Sequence, residues 1–341
     1  MAAVWFFMVP ALLWFCGQAW AKPKAPVTET ALSAAKKLLD QAMEQAASGK
    51  FEDAVKKIEK SLALNPRQAR AYLNRGAIRG KQGFYQLALQ DYDIGLAISQ
   101  DCAEGYFNRG ITLGALEKYN QAQQDLDKAI ALNPSYGKAY IFRGRILMMQ
   151  DAMGKAMEDF TQAVRLSPKD ARGYYYLGLV HIQDKDFKTA LQDMETALSL
   201  DGKYADAMFY RGYAKENLED YEGAFKDYTK TLDMMPDYAK ASFRKGVVRY
   251  KQGDDAQALV HLSKAMEVLK LATFIKKDKL PGFLAANPWV PMACFLRSTL
   301  WEKDGVLDRA LEDARLAVKY GSGEKKYEER VTFLSNKLRG S

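Results

Sequence analysis

Six glycines, Gly76, Gly110, Gly144, Gly178, Gly212 and Gly246, stand 34 residues apart. Twelve residues after each comes an alanine: Ala88, Ala122, Ala156, Ala190, Ala224 and Ala258. One period earlier the same two places hold Ala42 and Ala54. A repeat of this length implies a stacked array, because one short unit cannot bury its own apolar face. An aromatic residue recurs nine places after the glycine as Phe51, Tyr85, Tyr119, Phe187 and Tyr221. A small residue recurs at nineteen as Ser61, Gly95, Ala129, Ala163, Ala197 and Ala265, with Thr231 the largest variant.

This spacing predicts two helices of about 13 residues per unit, joined by a tight turn such as Gln82-Gly83 or Glu117-Lys118. Glycine on the first helix and alanine on the second let two helix backbones approach closely. Pro66, Pro134, Pro168 and Pro236 end second helices, since the residue before a proline is driven out of the α region. Unit 103–136, with Tyr106, Gly110, Tyr119, Ala122, Leu126, Ala129 and Pro134, is representative, and the chain resembles the tetratricopeptide-repeat family. The resemblance implies an all-α, right-handed α-solenoid of stacked helix-turn-helix units whose first helices line a concave groove for peptides or partner domains. Seven units are expected over 35–272, followed by an insertion at 273–290. An eighth unit at 291–324, marked by Ser298, Ala310 and Ala317, follows. A capping helix at 325–341 is expected from Tyr327, Val331, Leu334 and Leu338 at helical spacing.

Residues 1–21 carry no charged side chain and end in Ala19-Trp20-Ala21, which reads as a secretory signal cleaved after Ala21. The rival reading is an uncleaved membrane anchor, with Pro10 against a straight helix. Residues 22–34 read as a linker. The protein is therefore expected to be exported, periplasmic or envelope-associated, or else membrane-anchored by residues 1–21. Net charge is +8, from 50 basic and 42 acidic side chains, but the signs alternate and no nucleic-acid reader motif accompanies them. Nucleic acid is not an expected partner. Cys102 and Cys294 are expected to be thiols rather than a disulfide, and neither belongs to a metal-ligand spacing.

His181 and His261 are the two histidines, and both fall at helix positions of the repeat. No nucleophile with a base, no metal constellation and no phosphate-cradling loop accompanies them, so an enzyme is not expected and no cofactor is assigned. Arg75, Arg109, Arg143 and Arg211 precede repeat glycines, and Asp91, Asp125, Asp159 and Asp227 follow sixteen residues after each; ion pairs are expected. The groove is assigned to first-helix positions three before, one after and four after the glycine. Its partner-binding candidates are Phe107, Ile111, Arg145, Met148, Tyr175, Phe209, Tyr213, Glu216 and Tyr250, with Arg145 and Glu216 as isolated charges. The first of these rows serves helix contact as readily as binding. Chaperone-binding family members use a basic, asparagine-rich clamp, whose lysine position here holds Leu73, Phe107 or Ile141. The function expected is a scaffold for a protein or peptide partner. The alternative is a membrane-anchored assembly or transport component that lays the basic insert on an anionic surface.

Overall fold

The computed structural model describes residues 28–275, 288–321 and 323–340. The leader at 1–21 and residues 276–287, with Lys276, Lys277 and Lys279 of the basic insert, lie outside the described residues. Among the described residues there are seventeen helices and no strand. The fold is an α-solenoid of helix-turn-helix units. The chain divides into two compact units, Met1–Gln121 and Ala122–Ser341.

The first unit holds α1 (Glu29–Ala47), α2 (Phe51–Leu64), α3 (Ala69–Lys81), α4 (Tyr85–Ile98) and α5 (Ala103–Ala115), each packed on the next. α1 starts inside the stretch expected as linker. The Thr28 hydroxyl accepts from the Ala31 N–H at 3.3 Å, Glu29 favours the positive helix end, and Ala35, Leu39 and Ala42 form the buried stripe. α6 (Tyr119–Leu132) carries the division between the two units.

The second unit continues with α7 (Gly137–Met149), α8 (Met153–Leu166), α9 (Ala171–Gln183), α10 (Phe187–Leu200), α11 (Ala205–Asn217), α12 (Tyr221–Met234) and α13 (Ala239–Lys251). Each helix packs on its chain neighbours, and the first helices also touch, α7 on α9 and α9 on α11. α14 (Asp255–Ile275) has 21 residues where the other second helices have 14. The places that hold a polar residue and proline in Asn65-Pro66 or Ser167-Pro168 hold Leu269-Lys270 here, so nothing stops the helix and it runs into the expected insertion. α15 (Val290–Lys303) and α16 (Leu307–Tyr320) form another hairpin, joined by the Ser298 hydroxyl donating to the Ala310 carbonyl at 2.7 Å. α17 (Lys325–Gly340) closes the chain, burying Tyr327 and Leu334, the latter against Ala310 and Ala314.

Two details sharpen the expected geometry. The glycine does not simply face the alanine of the second helix. A Cβ at Gly144 would lie 2.5 Å from the Phe160 ring, and one at Gly212 2.9 Å from Tyr228. The residue sixteen after the glycine (Tyr92, Phe160, Met194, Tyr228 or Leu262) fills the place that the missing side chain leaves, and is itself buried. The turn between the two helices always takes one left-handed residue, seven after the glycine place. It is Gly49, Gly83, Gly253 and Gly305 in four turns but Glu117, Asp151, Lys185 and Glu219 in the other four.

The ion pairs tie helix to helix within repeats and between adjacent ones. Arg75 holds Asp91 at 2.7 Å, Arg143 holds Asp159 at 2.6 Å and Arg211 holds Asp227 at 2.6 Å. Arg79 and Lys215, one turn on, grip the same aspartates, at 2.7 and 2.8 Å. Arg297 and Asp313 repeat the pair at 2.6 Å between α15 and α16. Arg109 reaches the exposed Asp93 at 2.7 Å. Where Leu177 replaces the arginine, His181 moves in, its Nδ1 2.6 Å from Asp193. Burial raises the Asp193 carboxyl pKa, with His181 opposing.

Candidate functional site

A cleft of about 580 Å³ opens on the first-helix side of the second unit. On α13, Lys240, Phe243, Arg244, Val247, Tyr250 and Lys251 fall three, four and seven residues apart, which puts them on one helix face. Glu216 reaches it from the end of α11, and Pro288, Trp289, Met292 and Leu296 come from the start of α15. Trp289 stacks on Phe243 with ring centroids 5.1 Å apart, and both are buried. The lining therefore mixes apolar and aromatic side chains with the charges of Glu216, Lys240, Arg244 and Lys251.

Glu216 is the carboxylate of that lining. It accepts from the Tyr228 hydroxyl at 2.9 Å, from Lys251 Nζ at 3.0 Å and from Arg244 Nη1 at 3.4 Å. Glu216 is 2% exposed, so it is a saturated buried anion and not the isolated charge read from the repeat pattern. Its partners lie on α12 and α13, which a single-helix row does not show. Burial, then the Glu216 charge, drives the Tyr228 hydroxyl pKa well above its ordinary value. The Arg244 guanidinium lies 4.5 Å over the Tyr213 ring, and its Nε is buried with no hydrogen-bond partner. Lys240 rests over the rings of Phe209 and Tyr210, at 5.1 and 5.3 Å. Burial lowers its pKa, the Arg244 charge adds to this, and Asp206 opposes it.

The expected groove residues separate into three groups. Glu216 and Tyr250 line the cleft, and Tyr213 lies directly beneath Arg244. Phe107, Tyr175 and Phe209 are buried at 7%, 8% and 0% exposure, in keeping with the share of helix contact read for the row three before the glycine. Arg145 is exposed and sits over Phe142 and Tyr176 at 4.9 and 5.6 Å, while Met148 is half-buried; neither lines the cleft. Ile111 is half-buried in the Met1–Gln121 unit.

The row two before the glycine was missed. It holds Phe142, Tyr176, Tyr210 and Arg244, half-buried side chains that continue the aromatic surface beside Tyr175 and Tyr204. The row six before it supplies Lys138, Arg172, Asp206 and Lys240. Both were readable from the same period. Trp289 and Met292 were not, because they follow the interrupted stretch. A second cleft of about 710 Å³, lined by Lys138, Ser167, Lys169, Asp170 and Arg172 among others, lies where helix pairs join. There Asp170 already takes Arg172 at 2.6 and 2.9 Å. Among the described residues no cluster of three or more His, Cys, Asp or Glu is placed to hold a metal ion, and no helix is long and apolar enough to cross a membrane.

Family models described as tetratricopeptide repeat match residues 39–104, 103–136, 137–170, 156–205, 175–233 and 211–265. No curated protein gives a match. Among solved structures, PilF of Pseudomonas aeruginosa aligns at 18% identity and a TM-score of 0.56, over 61% of this chain and 95% of its own. PilW, titled a widely conserved type IV pilus biogenesis factor, aligns at 21% identity and a TM-score of 0.55, over 59% and 94%. A chain of the Cut9–Hcn1 hetero-tetramer of APC/C aligns at 15% identity and a TM-score of 0.62, over 87% of this chain and 55% of its own. These likenesses concern the fold.

Proposed function

The chain belongs to the tetratricopeptide-repeat family, and we propose that it is a non-catalytic scaffold that takes a segment of a partner protein along the first-helix face of its second unit. The observation that carries this reading is the cleft between α13 and α15. It combines aromatic side chains, which give large contact area at small entropic cost, with buried polar groups that fix orientation. Capture from native extract with the full chain and with a Val247→Asp, Tyr250→Ala variant tests it. The wild type is expected to retain a defined set of proteins that the variant loses. Retention of the same set by both proteins, with equal helicity, overturns the groove as the docking site.

The working location in this proposal is the cell envelope, and the apolar leader at 1–21 supports it. Amino-terminal sequencing of the mature protein is the test. A start at Lys22 agrees with export, a retained Met1 agrees with an anchor, and recovery of the chain in the cytosol with Met1 intact overturns both.

A further inference from the structure

The exposed face of α4 departs from the repeat. Phe84, just before the helix, and Leu87, Ile94 and Ile98 on it are 54%, 44%, 43% and 43% exposed. The place of Phe84 holds Lys50, Lys118, Asp186 and Asp220 in other repeats, and that of Leu87 holds Asp53, Gln121, Lys155 and Gln257. The place of Ile94 holds Lys60, Lys128, Lys230 and Lys264. Only the row of Ile98 is apolar elsewhere, as Leu64 and Leu200. Spacings of three, seven and four residues put the four side chains on one side of the helix, in a stripe about 21 Å long. A contiguous apolar stripe of this kind marks a surface that meets something. No free charge interrupts it. The charged residues of α4 are Asp91, buried and gripped by Arg75 and Arg79, and Asp93, held by Arg109.

The stripe is symmetric about its own midpoint. Phe84 and Ile98 each lie seven residues from Asp91, and Leu87 and Ile94 lie four and three residues from it. We infer that α4 is the contact through which two copies of this chain associate, the helices antiparallel about a two-fold axis beside Gln90 and Asp91. That arrangement sets Phe84 against Ile98 of the second copy and Leu87 against Ile94 of the second copy, the reciprocal contacts of an isologous interface. Gln90, next to the axis, meets its own twin. An amide donates and accepts, so the two satisfy each other, whereas Lys56, Glu158 or Lys226, which hold this place in other repeats, would meet a like charge. A lipid surface or the helix of an unrelated protein gains nothing from the symmetric spacing. Four large side chains a copy are few beside the about 20–30 residues a side of a standard interface, so the dimer is weak and depends on concentration. The contact is separate from the cleft between α13 and α15 and does not depend on it.

Sedimentation velocity with the full chain, from low to high micromolar concentration, tests this. The wild type is expected to pass from the mass of a monomer to that of a dimer. Leu87→Lys combined with Ile94→Lys installs residues that other repeats carry at those places, as Lys155 and Lys128, so the fold is kept. This double variant is expected to keep the melting temperature and to raise the dissociation constant at least about tenfold. Gln90→Cys is expected to cross-link copy to copy through a short bis-maleimide, above the level of the unsubstituted chain. Lys56→Cys, at the same place one period earlier on α2, is expected to stay at that level. A wild type that remains monomeric, whether or not it binds vesicles of neutral lipid, overturns the second copy as the occupant. A dimer equally strong in the double variant, or equal cross-linking of the two cysteine variants, puts the contact elsewhere and also overturns it.

Discussion

His261 stands where the five preceding repeats carry Asp91, Asp125, Asp159, Asp193 and Asp227, and its surroundings were not changed to suit it. Lys245 and Arg249 occupy the places of Arg211 and Lys215, which together grip Asp227. Lys245 is only 8% exposed and sits 4.3 Å from the Phe225 ring; Arg249 stacks on the same ring and turns to Glu222. His261 Nε2 is buried without a partner. Burial, then the charges of Lys245, Arg249 and Lys264 against a weaker Asp254, pushes its pKa down from 6.5 to about 4. An unfolded chain takes up this proton near pH 6.5, while the folded one resists until about pH 4. This contribution to stability is therefore complete above pH 6.5 and falls as pH drops toward 4. The difference in denaturation midpoint between wild type and His261→Gln is expected to change across that window, and a constant difference refutes the assignment. His261→Asp returns a carboxylate beside Lys245 and beside Arg249, which now turns to Glu222, and is expected to stabilise the fold by about 1–2 kcal/mol at pH 7, measured by urea denaturation. A neutral or destabilising result means that Phe225 already satisfies both.

At the scale of elements, the hairpin turn is the most uniform device in the chain and the least uniform in sequence. A left-handed residue opens every second helix, yet Glu117, Asp151, Lys185 and Glu219 do it with φ between 59° and 65°. A side chain with a Cβ in that region costs on the order of 1 kcal/mol, which glycine avoids at the expense of a more flexible unfolded chain. Lys185→Gly is expected to raise stability by a few tenths to about 1 kcal/mol, because its neighbours Asp184 and Asp186 keep the caps of α9 and α10. Thermal melts decide this: a lower midpoint for the glycine variant shows that the turn is not strained. Helix ends follow the same logic of local signals. Asp186 and Asp220 cap α10 and α12 through the backbone N–H groups of Thr189 and Gly223. α14 overruns its period because Leu269-Lys270 carries no stop signal.

At the scale of the whole molecule, what was legible in the sequence is what repeats. Gly144, Ala156 and the pair Arg143–Asp159 announce themselves because their counterparts recur every 34 residues, and the helix pairs follow from them. The candidate site was only half legible, because it is made where the repetition fails. Glu216 draws donors from residues 12, 28 and 35 positions away, and Trp289 lies beyond the overrun of α14. The same contrast yields a prediction about the array. Deleting residues 171–204 removes one full period and joins Asp170 to Ala205, so every later helix keeps its place in the order first, second, first. Tyr210 then takes the position of Tyr176 against Phe160 and Arg145, a like-for-like exchange. Ala207 takes the position of Gly173, where a Cβ meets Val164 Cγ2 at 2.9 Å, so the new junction is tighter and the array loses some stability. The shortened chain is expected to keep its mean helicity by circular dichroism and to melt cooperatively at a lower temperature, since stability here is a sum over neighbours. Deleting residues 171–186 alone removes a first helix and leaves two second helices in sequence, whose glycine and aromatic partners no longer meet. That chain is expected to lose helicity and cooperative melting. Equal behaviour of the two deletions shows that stacking does not depend on the period.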